Sequence, residues 1–159
     1  MPQQPNPVYL RRAIALATEN VLAGTGGPFA AVIVRNGEVV AEAANSVTTT
    51  NDPTAHGEIN AIRAACRVLG TFSLEGCEIY SSCEPCPMCL AAIYWARLGA
   101  IYYGANQVDA AKAGFDDAYL YDEVAKTQAD RAIPSEQFLQ GEAWQCFQTW
   151  LDTTSKTAY

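Results

Sequence analysis

The chain contains a single histidine, His56, within His56-Gly57-Glu58, and Pro85-Cys86-Pro87-Met88-Cys89 follows thirty residues on (86 − 56 = 30). Together the two segments supply one imidazole, two thiols and one carboxylate. Any fold that uses them jointly must bring two separate stretches of chain to one point. Both stretches read as helix N-termini, where partial positive charge favours thiolates. A catalytic zinc takes three protein ligands and keeps a fourth position for water. His56, Cys86 and Cys89 are three donors of suitable softness. Zinc lowers the pKa of its water to about 7, and Glu58 is placed to take that proton and return it to a leaving group. The plainer reading of Glu58 is an acid complementing a helix dipole.

Cys83-Glu84-Pro85-Cys86 overlaps as a second C-x-x-C. The later pair is preferred, because Pro85 and Pro87 frame a turn into a helix whose first turn would bring Cys86 and Cys89 together. Cys83 then lies at a strand end. Cys66, Cys77, Cys83 and Cys146 read as core or strand residues. A lone C-x-x-C could equally be a redox pair or two buried thiols, but H-x-E upstream completes the pattern H-x-E…P-C-x-x-C of zinc deaminases.

With 159 residues, 50% hydrophobic and 17% charged, the chain suits one globular domain with a single core. The N-terminus has no basic and apolar leader, and no apolar run could span a bilayer. A cytoplasmic protein is therefore expected, without a membrane partner, its six cysteines being ligands or core residues rather than disulfides. Net charge is −7; from Ala105 onward nine acids and four bases leave 4 − 9 = −5. A polynucleotide-binding enzyme needs a basic track, so nucleic acid is not the expected partner and a small uncharged substrate fits better.

Asn6-Pro7 signals a helix start, and apolar residues then recur at helical spacing until Gly24. Phe29–Val34 reads as a strand, and Asn36-Gly37 as a hairpin turn into a second strand from Val39. Residues 48–51 read as loop. Asp52-Pro53 reads as another helix start, running to Leu69 with Gly70 as its cap, which puts His56 in the first turn. Ile79–Ser82 is a third strand, Pro85–Met88 the entry to a further helix, and Ala100–Gly104 a fourth strand. Strand–helix–strand order predicts parallel pairing there, after an antiparallel hairpin. Helical patches follow around 118–124 and 141–151.

These residues resemble the cytidine-deaminase superfamily of zinc nucleobase and nucleoside deaminases. The likeness extends through Thr54–Arg63, Ser82–Cys89, Ala92–Arg97 and Ala113-Gly114-Phe115-Asp116-Asp117, covering nearly the whole chain. The last stretch and the tail ending in Tyr159 resemble the branch acting on guanine, and the acidic final third fits a free base. The resemblance implies an α/β/α sandwich around a five-stranded mixed sheet, one domain over 1–159. It also implies a homodimer in which a C-terminal segment, within roughly 130–159, crosses to the partner as a lid. It implies zinc on His56, Cys86 and Cys89. The implied reaction is hydrolysis of guanine to xanthine and ammonia by zinc-activated hydroxide at C2, with Glu58 as proton shuttle. Phe29 would stack on the purine, Asn45 would bond its carbonyl edge, and Asp117 would contact its amino side and assist proton transfer. Trp95 and Tyr159 would complete the pocket. Plainer readings stand beside these: Phe29 opening a core strand, Asn45 in a turn, Asp117 as a helix cap, Trp95 in the core, Tyr159 a frayed end. Gly57 departs from the alanine common at that position; glycine should loosen the helical turn by up to about 1 kcal/mol.

Guanine-like aminotriazines are conceivable side substrates. The competing readings are a deaminase of tRNA adenosine, cytosine or cytidine, and a non-catalytic zinc domain whose closed site takes a fourth ligand from Cys83 or Glu58.

Overall fold

The structure, a computed structural model, describes residues 4–159. Helix α1 (Pro7–Leu22) is capped by Asn6, whose Oδ1 accepts from the Val8 N–H at 3.0 Å. Strands β1 (Ala30–Arg35) and β2 (Glu38–Ala44) pair antiparallel. Asn36 (φ 53°) and Gly37 (φ 81°) provide the two positive φ angles of their two-residue turn. Where residues 48–51 were expected as loop, Val47–Thr50 form a single helical turn, α2.

The next helix begins later than the sequence suggests: α3 spans Gly57–Leu69. Asp52 caps a local turn instead, its Oδ1 accepting from the Thr54 N–H at 2.8 Å and the Thr54 hydroxyl at 2.7 Å. That Asx-type bond competes with helix initiation. His56 consequently occupies the N-cap of α3 with extended backbone (φ −69°, ψ 156°), not its first turn. Gly70 closes the helix at φ 64°, as its sequence position suggests.

Strands β3 (Cys77–Cys83) and β4 (Ala100–Ala105) run parallel across helix α4 (Pro87–Trp95). The sheet has order β2-β1-β3-β4, with β1 antiparallel to both its neighbours. Helix α5 (Gln107–Lys112), absent from the sequence reading, is started by a capping box between Asn106 and Asp109. Helices α6 (Asp117–Ala125) and α7 (Gln140–Asp152) answer the last two helical patches.

Five strands were expected, and among the described residues the sheet has four. Beyond Ala105 the chain lacks a β-branched alternating run. It turns instead into α5 and α6, and Pro134 follows Ile133 in the stretch before α7.

Side-chain alternation sorts the two faces of the sheet. Ala31, Ile33, Cys77 and Ile79 pack with Ala61 and Ala65 of α3 and with Ile93 and Ala96 near α4. Val32, Val34 and Tyr80 pack on the other face with Ala13, Tyr9 and Leu10 of α1. The sheet thus lies between α1 and the α3/α4 pair, an α/β sandwich of the expected kind. Contacts divide the chain into two units, residues 1–121 and 122–159. In the second, Glu123 accepts from the Ala132 N–H at 2.8 Å, and Trp144 stacks on Phe147 along α7 with ring centroids 5.7 Å apart. Among the described residues no helix is long and apolar enough to cross a membrane.

Candidate active site

Two helix N-termini meet beside the central strands, near the start of β1 and the end of β3. His56 caps α3 and Cys86 caps α4, with Cys89 in the first turn of α4. Pro87 occupies the start of α4, where its missing N–H is not needed. His56 Nδ1 lies 3.6 Å from Cys86 Sγ and 3.5 Å from Cys89 Sγ. A tetrahedral ion with Zn–S about 2.3 Å and Zn–N about 2.05 Å needs an N···S edge of about 3.6 Å, which both distances match. Among the described residues this trio is the one His/Cys/Asp/Glu group gathered closely enough to hold a metal. Cys83 is outside it. Its thiol sits at the end of β3 against the Asn106 carbonyl at 3.7 Å. Cys66 is half-buried and Cys77 buried, while Cys146 is exposed on α7 rather than in a core.

The two thiols share a proton unequally. Cys86 is pulled down to about 4 by hydrogen bonds from Cys89 and His56, and Cys89 is pushed up by the thiolate beside it and by burial. His56 is raised, chiefly by its bond to Cys86.

Glu58 is 4% exposed. Burial pushes its carboxyl up. Its Oε1 accepts from the Ser81 hydroxyl at 3.1 Å, and its Oε2 lies 3.5 Å from Cys89 Sγ. Glu58 is therefore beside the donor trio without belonging to it.

A cavity of about 250 Å³ opens in front of these groups, lined by Phe29, Asn45, His56, Glu58, Glu84, Cys86, Phe115 and Asp117 among others. Phe29 stands immediately before β1, half-buried, with Phe115 edge-on to it at 4.6 Å between centroids and 80° between planes. Asn45 follows β2. Its Oδ1 accepts from the N–H groups of Gly27 (3.3 Å) and Val47 (3.2 Å), so Nδ2 is the donor left for the cavity. Asp117 begins α6, its carboxyl raised by partial burial and by the Cys86 thiolate.

Trp95 is not among the residues lining this cavity. Trp95, at the end of α4, is 62% exposed and so not core either, with the Arg97 guanidinium over its ring. Tyr159 is in the second unit and 76% exposed. Sequence reasoning overlooked Phe115, although it lies between Gly114 and Asp116 in a stretch already singled out. It also overlooked Glu84, whose Oε2 accepts from the Gln107 N–H at 3.0 Å, and the residues that tie the site together. Asn20 donates to Gly27 (2.9 Å) and Asn45 (2.8 Å) carbonyls, and Asn60 donates to Ala44 O and Ser46 Oγ, both at 3.0 Å. The usable signal was an asparagine inside each helix, where a polar amide is poorly placed unless it has partners.

The model of the family described as "Cytidine and deoxycytidylate deaminase zinc-binding region" matches residues 4–105. The chain is 54% identical over 151 residues to the guanine deaminase of Bacillus subtilis, spanning 95% of this chain and 97% of that protein. The X-ray structure of a guanine deaminase from Bacillus subtilis superposes with TM-score 0.94 at 52% identity, covering 98% of this chain and 99% of that one. A tRNA-specific adenosine deaminase of Aquifex aeolicus is 47% identical over 78 residues, 49% of this chain and 52% of that protein.

Proposed function

The chain belongs to the cytidine and deoxycytidylate deaminase zinc-binding family, and from that premise we propose that it is an enzyme hydrolysing guanine to xanthine and ammonia. The observation that carries the choice of base is a likeness to a guanine deaminase that continues through 97% of that protein. The likeness to the tRNA adenosine deaminase of Aquifex aeolicus is confined to about half of each chain.

His56, Cys86 and Cys89 would hold zinc, as their edge lengths suit a tetrahedral ion. When bound, zinc acidifies the water in its open position to a pKa of about 7 and so supplies a nucleophile at neutral pH. Glu58 takes a proton from the water that adds to C2 of guanine and delivers it to a ring nitrogen. A second transfer, by Glu58 or Asp117, moves the proton of the hydroxyl added at C2 to the exocyclic amine, which leaves as ammonia as the C2 carbonyl forms. One water is consumed for each xanthine and ammonia formed. Phe29 offers a face for the purine, steadied by Phe115. Asn45 Nδ2 donates to the carbonyl edge, and the half-buried Asp117 receives the amino side. The absence of Cys83 from the donor group speaks against a closed, purely structural site.

The same reading has a homodimer whose C-terminal segment, within roughly 130–159, crosses to the partner, with Trp95 and Tyr159 completing the pocket. The exposed Phe138, Trp144 and Phe147 of the second unit support an apolar partner for that segment. Six free cysteines fit a reducing cytoplasm. Guanine-like aminotriazines would be secondary substrates. Ammonia release measured across guanine, cytosine, cytidine, adenosine and ammeline tests the assignment: guanine should be turned over fastest, and no release from guanine refutes it.

A further inference from the structure

We propose that Ser81 is a positioning residue for the reaction, fixing which oxygen of Glu58 faces the metal donors. The inference rests on the reading of Glu58 as proton shuttle. Ser81 lies in the middle of β3, paired with Ala31 of β1 on one side and Tyr103 of β4 on the other. It is 1% exposed. Its side chain belongs to a row that points to the α3/α4 face, whose earlier members Cys77 and Ile79 are part of the apolar core. A hydroxyl in such a row is costly unless bonded. Replacing it with a small apolar residue would ordinarily cost little, provided its partner did not need it.

The partner is Glu58. Ser81 Oγ donates to Oε1 at 3.1 Å, while Oε2 is the oxygen 3.5 Å from Cys89 Sγ. A hydroxyl has one proton, and here it is aimed at Oε1. Oε2 is thereby left as the oxygen on the Cys89 side. The bond suits either form of the carboxyl, because Oε1 accepts equally as a carboxylate or as the carbonyl oxygen of an acid protonated on Oε2. Ser81 therefore holds one orientation of Glu58 through both halves of a proton shuttle. The adjacent Ser82 has a different role, accepting from the Ala30 N–H at 3.1 Å.

The test compares wild type, Ser81→Ala and Ser81→Thr as full-length, zinc-loaded proteins. In Ser81→Ala, zinc content and KM for guanine should be unchanged, while kcat falls by about tenfold to a hundredfold. Ser81→Thr, which restores the hydroxyl, should recover most of the rate. Crystal structures of the zinc-loaded wild type and Ser81→Ala supply a readout independent of turnover. The Glu58 carboxylate should keep its orientation in the former and rotate or split into two orientations in the latter. An unmoved Glu58, an undiminished kcat in Ser81→Ala, or a Ser81→Thr as slow as the alanine variant would each overturn the proposal. If the wild type releases no ammonia from guanine, the functional reading fails, and the crystallographic comparison still decides the role of Ser81.

Discussion

Cys83, Cys86 and Cys89 are equally spaced in sequence, and the start of α4 separates them. Cys86 and Cys89 share one helical turn facing His56 Nδ1, while Cys83 is the last residue of β3 and points to the Asn106 carbonyl. Cys86→Ala should take zinc content, measured by atomic emission, far below one per chain. Cys83→Ala should leave it at one; the opposite pattern would mean that the metal uses the earlier pair. Gly57 shows how a single position carries more than the sequence implies. A Cβ there would meet Ala30 Cα at 2.8 Å and Phe29 O at 3.1 Å. The glycine thus lets the start of α3 press against the backbone beside Phe29. Gly57→Ala gains about 1 kcal/mol of helix propensity, but overpacking against backbone costs about 1–3 kcal/mol. The melting temperature should therefore fall; a rise would show that β1 yields easily.

At the level of elements, the helix caps, the hairpin and the parallel crossover were legible in the sequence because each has a local chemical signal. Asn6-Pro7, Asn36-Gly37 and Gly70 all act within a few residues of where they stand. Asp52-Pro53 misled because the aspartate made a different local bond, to Thr54, and delayed α3 to Gly57. The metal donors were legible through their spacing. The lashings that aim the cavity were not, since they join residues distant in sequence. Asn20 of α1 carries two of them and also accepts from the Thr25 hydroxyl at 2.7 Å. Together these hold the 24–29 loop that ends in Phe29. Asn20→Ala should cost about 1–3 kcal/mol by leaving buried carbonyls unpaired, seen as a lower melting temperature, and should raise KM more than it lowers kcat. An unchanged KM would mean that the loop keeps its place without the amide.

Across the whole molecule, the first unit contains the donor trio, Glu58 and the cavity, and the second presents a helix with much of its apolar surface exposed. Trp144, Phe147, Trp150 and Leu151 are each at least 41% exposed, more than a solitary helix would be expected to leave in water. Light scattering should therefore return the mass of a dimer, and Phe147→Glu should weaken it; a wild-type monomer at micromolar concentration would contradict the exchanged-segment reading. Because zinc would bind the folded donors and not an unfolded chain, its removal by chelation should lower the melting temperature, reversibly on readdition. The most direct test of the central claim is the rate of xanthine formation from guanine by wild type and by Glu58→Gln at equal zinc content. The account expects xanthine from the wild type and a loss of about a hundredfold to ten-thousandfold in the glutamine variant, with zinc retained. Wild-type turnover by Glu58→Gln, or no xanthine from either protein, would contradict it.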